Sequence, residues 1–128
     1  MSIETVLSVG ESMMFPDFGE LYQARGWTEY KASSVRKASS LIKKQSIDLI
    51  VAEFVYAYST NYSGIYKSNL EVLLVSLTKY SPNTKVIVLA NKKDIQYLDV
   101  LKAVDYPIYG SLQLPADLSS MEQLLSTV

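Results

Sequence analysis

Two apolar runs constrain this chain most. Residues 47–54 read IDLIVAEF and residues 85–90 read KVIVLA. A strand with one face in water alternates apolar and polar residues. A nearly unbroken aliphatic run is instead the pattern of a central parallel strand covered on both faces. Parallel neighbours must be joined by crossovers, which are normally helical and right-handed. The chain is therefore expected to alternate strands and helices, with helices on both sides of a parallel sheet.

The rest of the sequence supplies the other elements. Residues 5–10 (TVLSVG) form a short apolar run ending in Gly, read as strand one. Phe18, Leu21 and Tyr22 fall at helical spacing. Asp17 with Glu20 three residues later has the form of a capping box, and Gly26 is a natural stop. Residues 28–33 (TEYKAS) read as strand two. Ser34 is placed to cap a helix with Val35, Ala38, Leu41 and Ile42 inward, and Lys43 and Lys44 suit its C-terminal end. Residues 55–67 show no clean period and read as loop. Ser68 and Glu71 form a second capping box, before Leu70, Leu73, Leu74 and Leu77. Asp94 is expected to cap a helix with Ile95, Leu98, Leu101 and Val104 inward. Residues 107–112 (PIYGSL) read as strand five. Asp117 or Ser119 opens a last helix with Leu118, Met121, Leu124 and Leu125 as core.

Composition removes whole classes of chemistry. The 128 residues fit one domain, 1–128, and 48% hydrophobic with 20% charged residues is the make-up of a folded globule. Twelve basic and thirteen acidic residues give a net charge of −1, so no broad field draws nucleic acid. Without Cys there is no disulfide or thiolate; without His the usual general base and commonest metal ligand are gone. The N-terminus has no basic signal region, and no apolar stretch nears the ~20 residues that cross a bilayer. A cytoplasmic protein with no membrane contact is expected.

In an open α/β sheet, ligands bind beyond the carboxyl ends of the strands. Those ends carry Gly10 and Glu11 after strand one, Glu53 at the end of DLIVAE, Ala90 before Asn91, and Leu114 before Pro115. In element order and in these strand-end segments the chain resembles a response-regulator receiver domain. The resemblance implies a three-layer, flavodoxin-like (CheY-like) α/β fold, with a five-stranded parallel sheet in the order 2-1-3-4-5 and five helices. It also implies what is missing. The family places a pair of Mg²⁺-holding acids after strand one, a phosphoryl-accepting Asp at the end of strand three, a hydroxyl after strand four and a Lys after strand five. At those positions stand Gly10 and Glu11, Glu53, Ala90 and Leu114.

Phosphoryl transfer rests on positioning and charge neutralisation. Leu114 supplies no charge and Ala90 no hydrogen bond. Glu53 is one methylene longer than Asp, and a misplacement of about 1 Å costs ~100-fold. Glu53 is then either a plain carboxylate, solvated or bonded to backbone N–H groups, or a built-in mimic of the phosphorylated state. Two acids, Glu11 and Glu53, are a poor Mg²⁺ site, so neither metal nor cofactor is expected. Asn91-Lys92-Lys93-Asp94 matches the guanine-reading NKxD motif, but no phosphate-cradling G-x-x-x-x-G-K-[ST] loop accompanies it.

Ten Tyr against three Phe is an unusual balance. Tyr gives large contact area at low entropic cost and is enriched at interfaces. Tyr56, Tyr58, Tyr62 and Tyr66 cluster in one loop, where they either form a contact surface or fold the loop onto the domain. Tyr97, Tyr106 and Tyr109 lie around helix four and strand five, a face on which the resemblance implies partner docking or a homodimer through helix 4, strand 5 and helix 5. The expectation is a phosphorylation-independent regulatory protein of the two-component type, acting by protein–protein contact. The alternative is a small phosphotransfer or nucleotide-binding enzyme using Glu11, Glu53, Asn91 and Asp94.

Overall fold

The structure, a computed structural model, describes residues 3–10, 12–56 and 68–128. The element order is β1 (Thr5–Val9), α1 (Gly19–Ala24), β2 (Thr28–Ala32), α2 (Val35–Lys44), β3 (Leu49–Phe54), α3 (Glu71–Tyr80), β4 (Lys85–Asn91), a 3₁₀ helix (Ile95–Ala103), β5 (Gly110–Leu114) and α4 (Leu118–Leu125). All five strands are parallel and lie in the order β2-β1-β3-β4-β5. The α/β architecture and strand order expected from the sequence are both present, with five helical segments.

The two runs that prompted the reading are the centre of the sheet. Every residue of β3 is buried, and so are the five interior residues of β4. Alternation along the strands divides the core into two layers. Ile50, Ala52, Val86 and Val88 pack against Ala38 and Ile42 of α2 and Leu73, Leu74 and Leu77 of α3. Leu49, Val51, Ile87 and Leu89 pack against Leu21 and Tyr22 of α1 and Met121 and Leu125 of α4. The leucine stripe at i, i+3, i+4 and i+7 in α3 is wholly buried.

Helix ends explain where each element starts. The Ser34 hydroxyl accepts from Lys37 N at 3.2 Å and opens α2, and Asp117 Oδ1 accepts from Ser120 N at 2.7 Å and opens α4. Gly26, at φ 78, ends α1 in the left-handed region that a Cβ disfavours. At Ser68, Glu71 Oε1 accepts the backbone N–H at 2.8 Å, which is the Glu half of a capping box.

Several local expectations are corrected. Asp17 and Glu20 do not form a capping box. Asp17 Oδ1 instead accepts from Gly19 N at 2.8 Å, a short-range turn that delays α1 to Gly19. Asp94 makes no cap, and the segment after it winds as a 3₁₀ helix rather than an α-helix. Strand five starts at Gly110, not at 107. Tyr106 donates to the Thr84 and Ser81 carbonyls, which pins the preceding chain to the β4 entrance before pairing begins. Leu118, expected in the core, is 58% exposed. It sits next to the Asp117 cap in the first turn of α4, facing away from the layer that Met121 and Leu125 enter.

Candidate functional site

The carboxyl ends of β1, β3, β4 and β5 meet along one rim. The register sets Val9 beside Ala52, Glu53 beside Leu89, Phe54 beside Ala90 and Asn91 beside Leu114. Four of the five singled-out positions, Gly10, Glu53, Ala90 and Leu114, therefore end on that rim. Glu11 lies outside the described residues.

Glu53 is the polar centre. It is 7% exposed, and its carboxylate accepts from Ser12 N at 3.3 Å and from the Ser12 hydroxyl. The same hydroxyl accepts from Met14 N at 3.2 Å, so Ser12 ties the β1–α1 loop to the acid. Asn69 fixes the backbone on the other side. Its side chain donates to Glu53 O at 2.7 Å and accepts from Val55 N at 2.8 Å. Sequence reasoning missed both partners. The available signal was the taste of Ser and Asn side chains for backbone groups in turns next to a strand end.

The remaining positions are filled by apolar groups. A Cβ placed on Gly10 would stand 2.3 to 2.6 Å from the Phe15 ring, so that ring occupies the space a side chain at position 10 would need. Ala90 is fully buried and packs with the α2/α3 layer, on the side of the sheet opposite Glu53 and Leu89. Leu114 is 2% exposed and belongs to the α1/α4 core; its peptide bond to Pro115 is cis. The crevice lined by Gly10, Glu53, Val55 and Asn69 has a volume of about 10 Å³, roughly one water. Among the described residues, no three Asp, Glu, His or Cys side chains gather as a metal site.

Asn91 and Asp94 are turned toward each other rather than outward. Asp94 N donates to Asn91 Oδ1 at 2.8 Å, and Asn91 Nδ2 lies 3.5 Å from Asp94 Oδ2. Asp94 Oδ2 also accepts from Tyr56 N at 3.2 Å. The pair closes the β4 turn and holds the chain leaving β3.

The tyrosines divide sharply. Tyr56 and Tyr97 stack with centroids 4.0 Å apart at 13°, and Tyr97 is 38% exposed. Tyr109 is half-buried, with its hydroxyl 2.5 Å from Thr127 Oγ1. Tyr106 is a correction. It is 7% exposed, both its hydroxyl bonds go to main-chain carbonyls, and it packs in the core rather than on a contact face. Tyr58, Tyr62 and Tyr66 lie outside the described residues.

A second polar group sits beyond the β1–β2 edge. Ser8 donates to Glu29 Oε2 at 2.5 Å, and both line an open cleft of about 540 Å³ that also reaches Gly10, Ser12, Phe15 and Lys37. Burial pushes the neighbouring Tyr22 phenol up from its usual 10.0, and the Glu29 charge adds to the rise.

No protein-family model matches the chain, and no curated protein sequence matches it. Solved structures do. A CheY-like response regulator receiver domain protein from Methanospirillum hungatei is 12% identical with a TM-score of 0.73, over 98% of this chain and 93% of that one. A response regulator receiver protein from Sinorhizobium medicae is 15% identical with a TM-score of 0.71, over 98% and 93%. The signal receiver domain of an HD domain-containing protein from Pseudomonas fluorescens is 20% identical with a TM-score of 0.68, over 98% and 94%. The fold is that of response-regulator receiver domains. It is assembled here from a sequence that is 12%, 15% and 20% identical to these three.

Proposed function

We propose that this chain is a cytoplasmic, receiver-like regulatory domain of the two-component type that works by protein–protein contact and takes up no phosphoryl group. One observation carries the reading. The Phe15 ring fills the space over Gly10, next to a Glu53 carboxylate that Ser12 already holds. A phosphoryl group needs a positioned nucleophile, a metal and a cation at one point. At this rim a ring stands over Gly10, a leucine holds the position where the resemblance implies a Lys, and the crevice between Glu53 and Asn69 measures about 10 Å³. The Ser12–Glu53 closure favours the plain reading of that acid, as the tie that seats the β1–α1 loop. Asn91 and Asp94 bond to each other, which leaves the nucleotide-handling alternative without support from its own motif.

The contact face of this reading is the exposed Tyr97 ring, backed by Tyr56, with the half-buried Tyr109 beside β5. The rim is tested by recording amide NMR spectra with Mg²⁺ and beryllofluoride. The expected spectrum is unchanged at Gly10, Ser12, Glu53 and Ala90. Saturable shifts at those amides overturn the reading.

A further inference from the structure

The net charge of −1 conceals a segregation of charge across the sheet. Two of the three helical segments on one face, α2 (VRKASSLIKK) and α3 (EVLLVSLTKY), carry five cations and a single acid. That acid, Glu71, is 1% exposed and bonded to Ser68. The outer surface of these two helices is thus positive without an exposed counter-charge of its own, and the 3₁₀ helix on the same side of the sheet carries Asp99 paired with Lys102. The helices on the opposite face, α1 (GELYQA) and α4 (LSSMEQLL), contain no Lys or Arg. Glu20, Glu122 and the α4 cap Asp117 are exposed there, and the cation at the end of α1, Arg25, lies 5.6 Å from the Trp27 ring. Among the described residues the ion pairs are Lys31–Asp17 and Lys102–Asp99, and neither includes a cation of α2 or α3.

Both faces also expose apolar side chains. Val72, Val75 and Tyr80 on α3 are 47%, 44% and 45% exposed, and Leu118 on α4 is 58% exposed. Lys43 and Lys79 stand 5.1 and 5.3 Å from the Tyr80 ring, so the charge and the apolar area on that face are one patch.

We propose that the α2/α3 face of one molecule docks on the α1/α4 face of a second copy. Each molecule carries both halves of the complementarity, one on each side of its sheet. A positive patch meeting a negative one steers encounter and fixes orientation. Because the two surfaces differ, the contact is heterologous, and repeated contacts build open chains rather than a closed dimer. Few charges and little apolar area are involved, so the association is weak and salt-dependent. It does not rest on the state of the rim.

Sedimentation velocity of the full chain at low ionic strength tests this. The weight-average sedimentation coefficient is expected to rise with concentration in the range of roughly 0.1–1 mM. In 1 M salt, where the screening length falls to about 3 Å, the rise disappears. Lys43→Glu with Lys44→Glu abolishes it, and so does Glu20→Lys with Glu122→Lys, each without loss of the circular dichroism melt. Mixing the two variants restores a pairwise contact, since the unaltered α2/α3 face of one meets the unaltered α1/α4 face of the other. A monomeric wild type overturns the proposal, including one that instead binds phosphatidylserine vesicles. So do charge-reversal variants that associate like wild type, or a mixture of the two that does not associate.

Discussion

At the scale of single residues, Gly10 and Phe15 act as one unit. The resemblance implies an acid near position 10, yet the ring of Phe15 lies where any Cβ there would go. Gly10→Ala is expected to cost about 1–3 kcal/mol, the usual range for forcing added carbon into occupied space. In a Phe15→Ala background the same change costs much less, because the obstruction is gone. Urea unfolding of the four variants measures the coupling, and equal costs in both backgrounds contradict the assignment. Buried phenols set a second expectation. Burial raises Tyr22 and Tyr106 from their usual 10.0. The folded state keeps protons that the unfolded chain releases, so their stabilisation is complete below the unfolded value of about 10. It is lost as pH rises beyond that, by up to about 1.4 kcal/mol per pH unit for each retained proton. Urea midpoints taken from about pH 8 to about pH 11 should be flat and then fall, and Tyr22→Phe should make the fall shallower.

At the scale of elements, the sequence told most where one physical rule acted alone. The β3 and β4 runs, the α3 leucine stripe and the Ser34 cap each rest on a single period or a single bond, and each appears where expected. It told least where local chemistry competed with tertiary anchors. Asp94 looks like a cap, but the nearby Tyr56 N–H, brought by a separate crossover, takes its carboxylate instead. Strand five slid to Gly110 because Tyr106 is fastened to Thr84, a contact 22 residues away that no window along the chain displays. The rim followed the same division. Spacing placed Gly10, Glu53 and Leu114 at strand ends, but the ring over Gly10 and the Ser12 bond to Glu53 depend on how one loop folds back. Ser34→Ala should cost about 0.5–2 kcal/mol, since Lys37 N–H loses its acceptor. The cost is expected to be the same in the absence and presence of high salt, because the bond is short-range. A strongly salt-dependent cost would show that Ser34 acts through the cationic end of α2 rather than through the cap.

At the scale of the whole molecule, burial is arranged as a gradient from the sheet's centre outward. β3 and β4 are covered on both faces, whereas β2 has one buried residue in five and forms an open edge beside β1. Backbone amides exchange only when their hydrogen bonds open, and opening costs most where most apolar area is exposed. Amides of Ile50 to Phe54 and Ile87 to Leu89 are therefore expected to exchange at the rate of global unfolding, and those of β2 well before it. β5, the other edge, should lie between, because Leu114 is held in the α1/α4 core while Ser111 and Gln113 face solvent. The order matters for function. The proposed contact function requires outer surfaces that adjust while the sheet keeps its register, and the elements that carry the charged and aromatic faces are those layered around the most protected strands. Native-state hydrogen exchange in low denaturant reads the order directly. If β2 exchanges as slowly as β3, the sheet opens only as a whole, and surface contacts on its two sides would be coupled through it rather than independent.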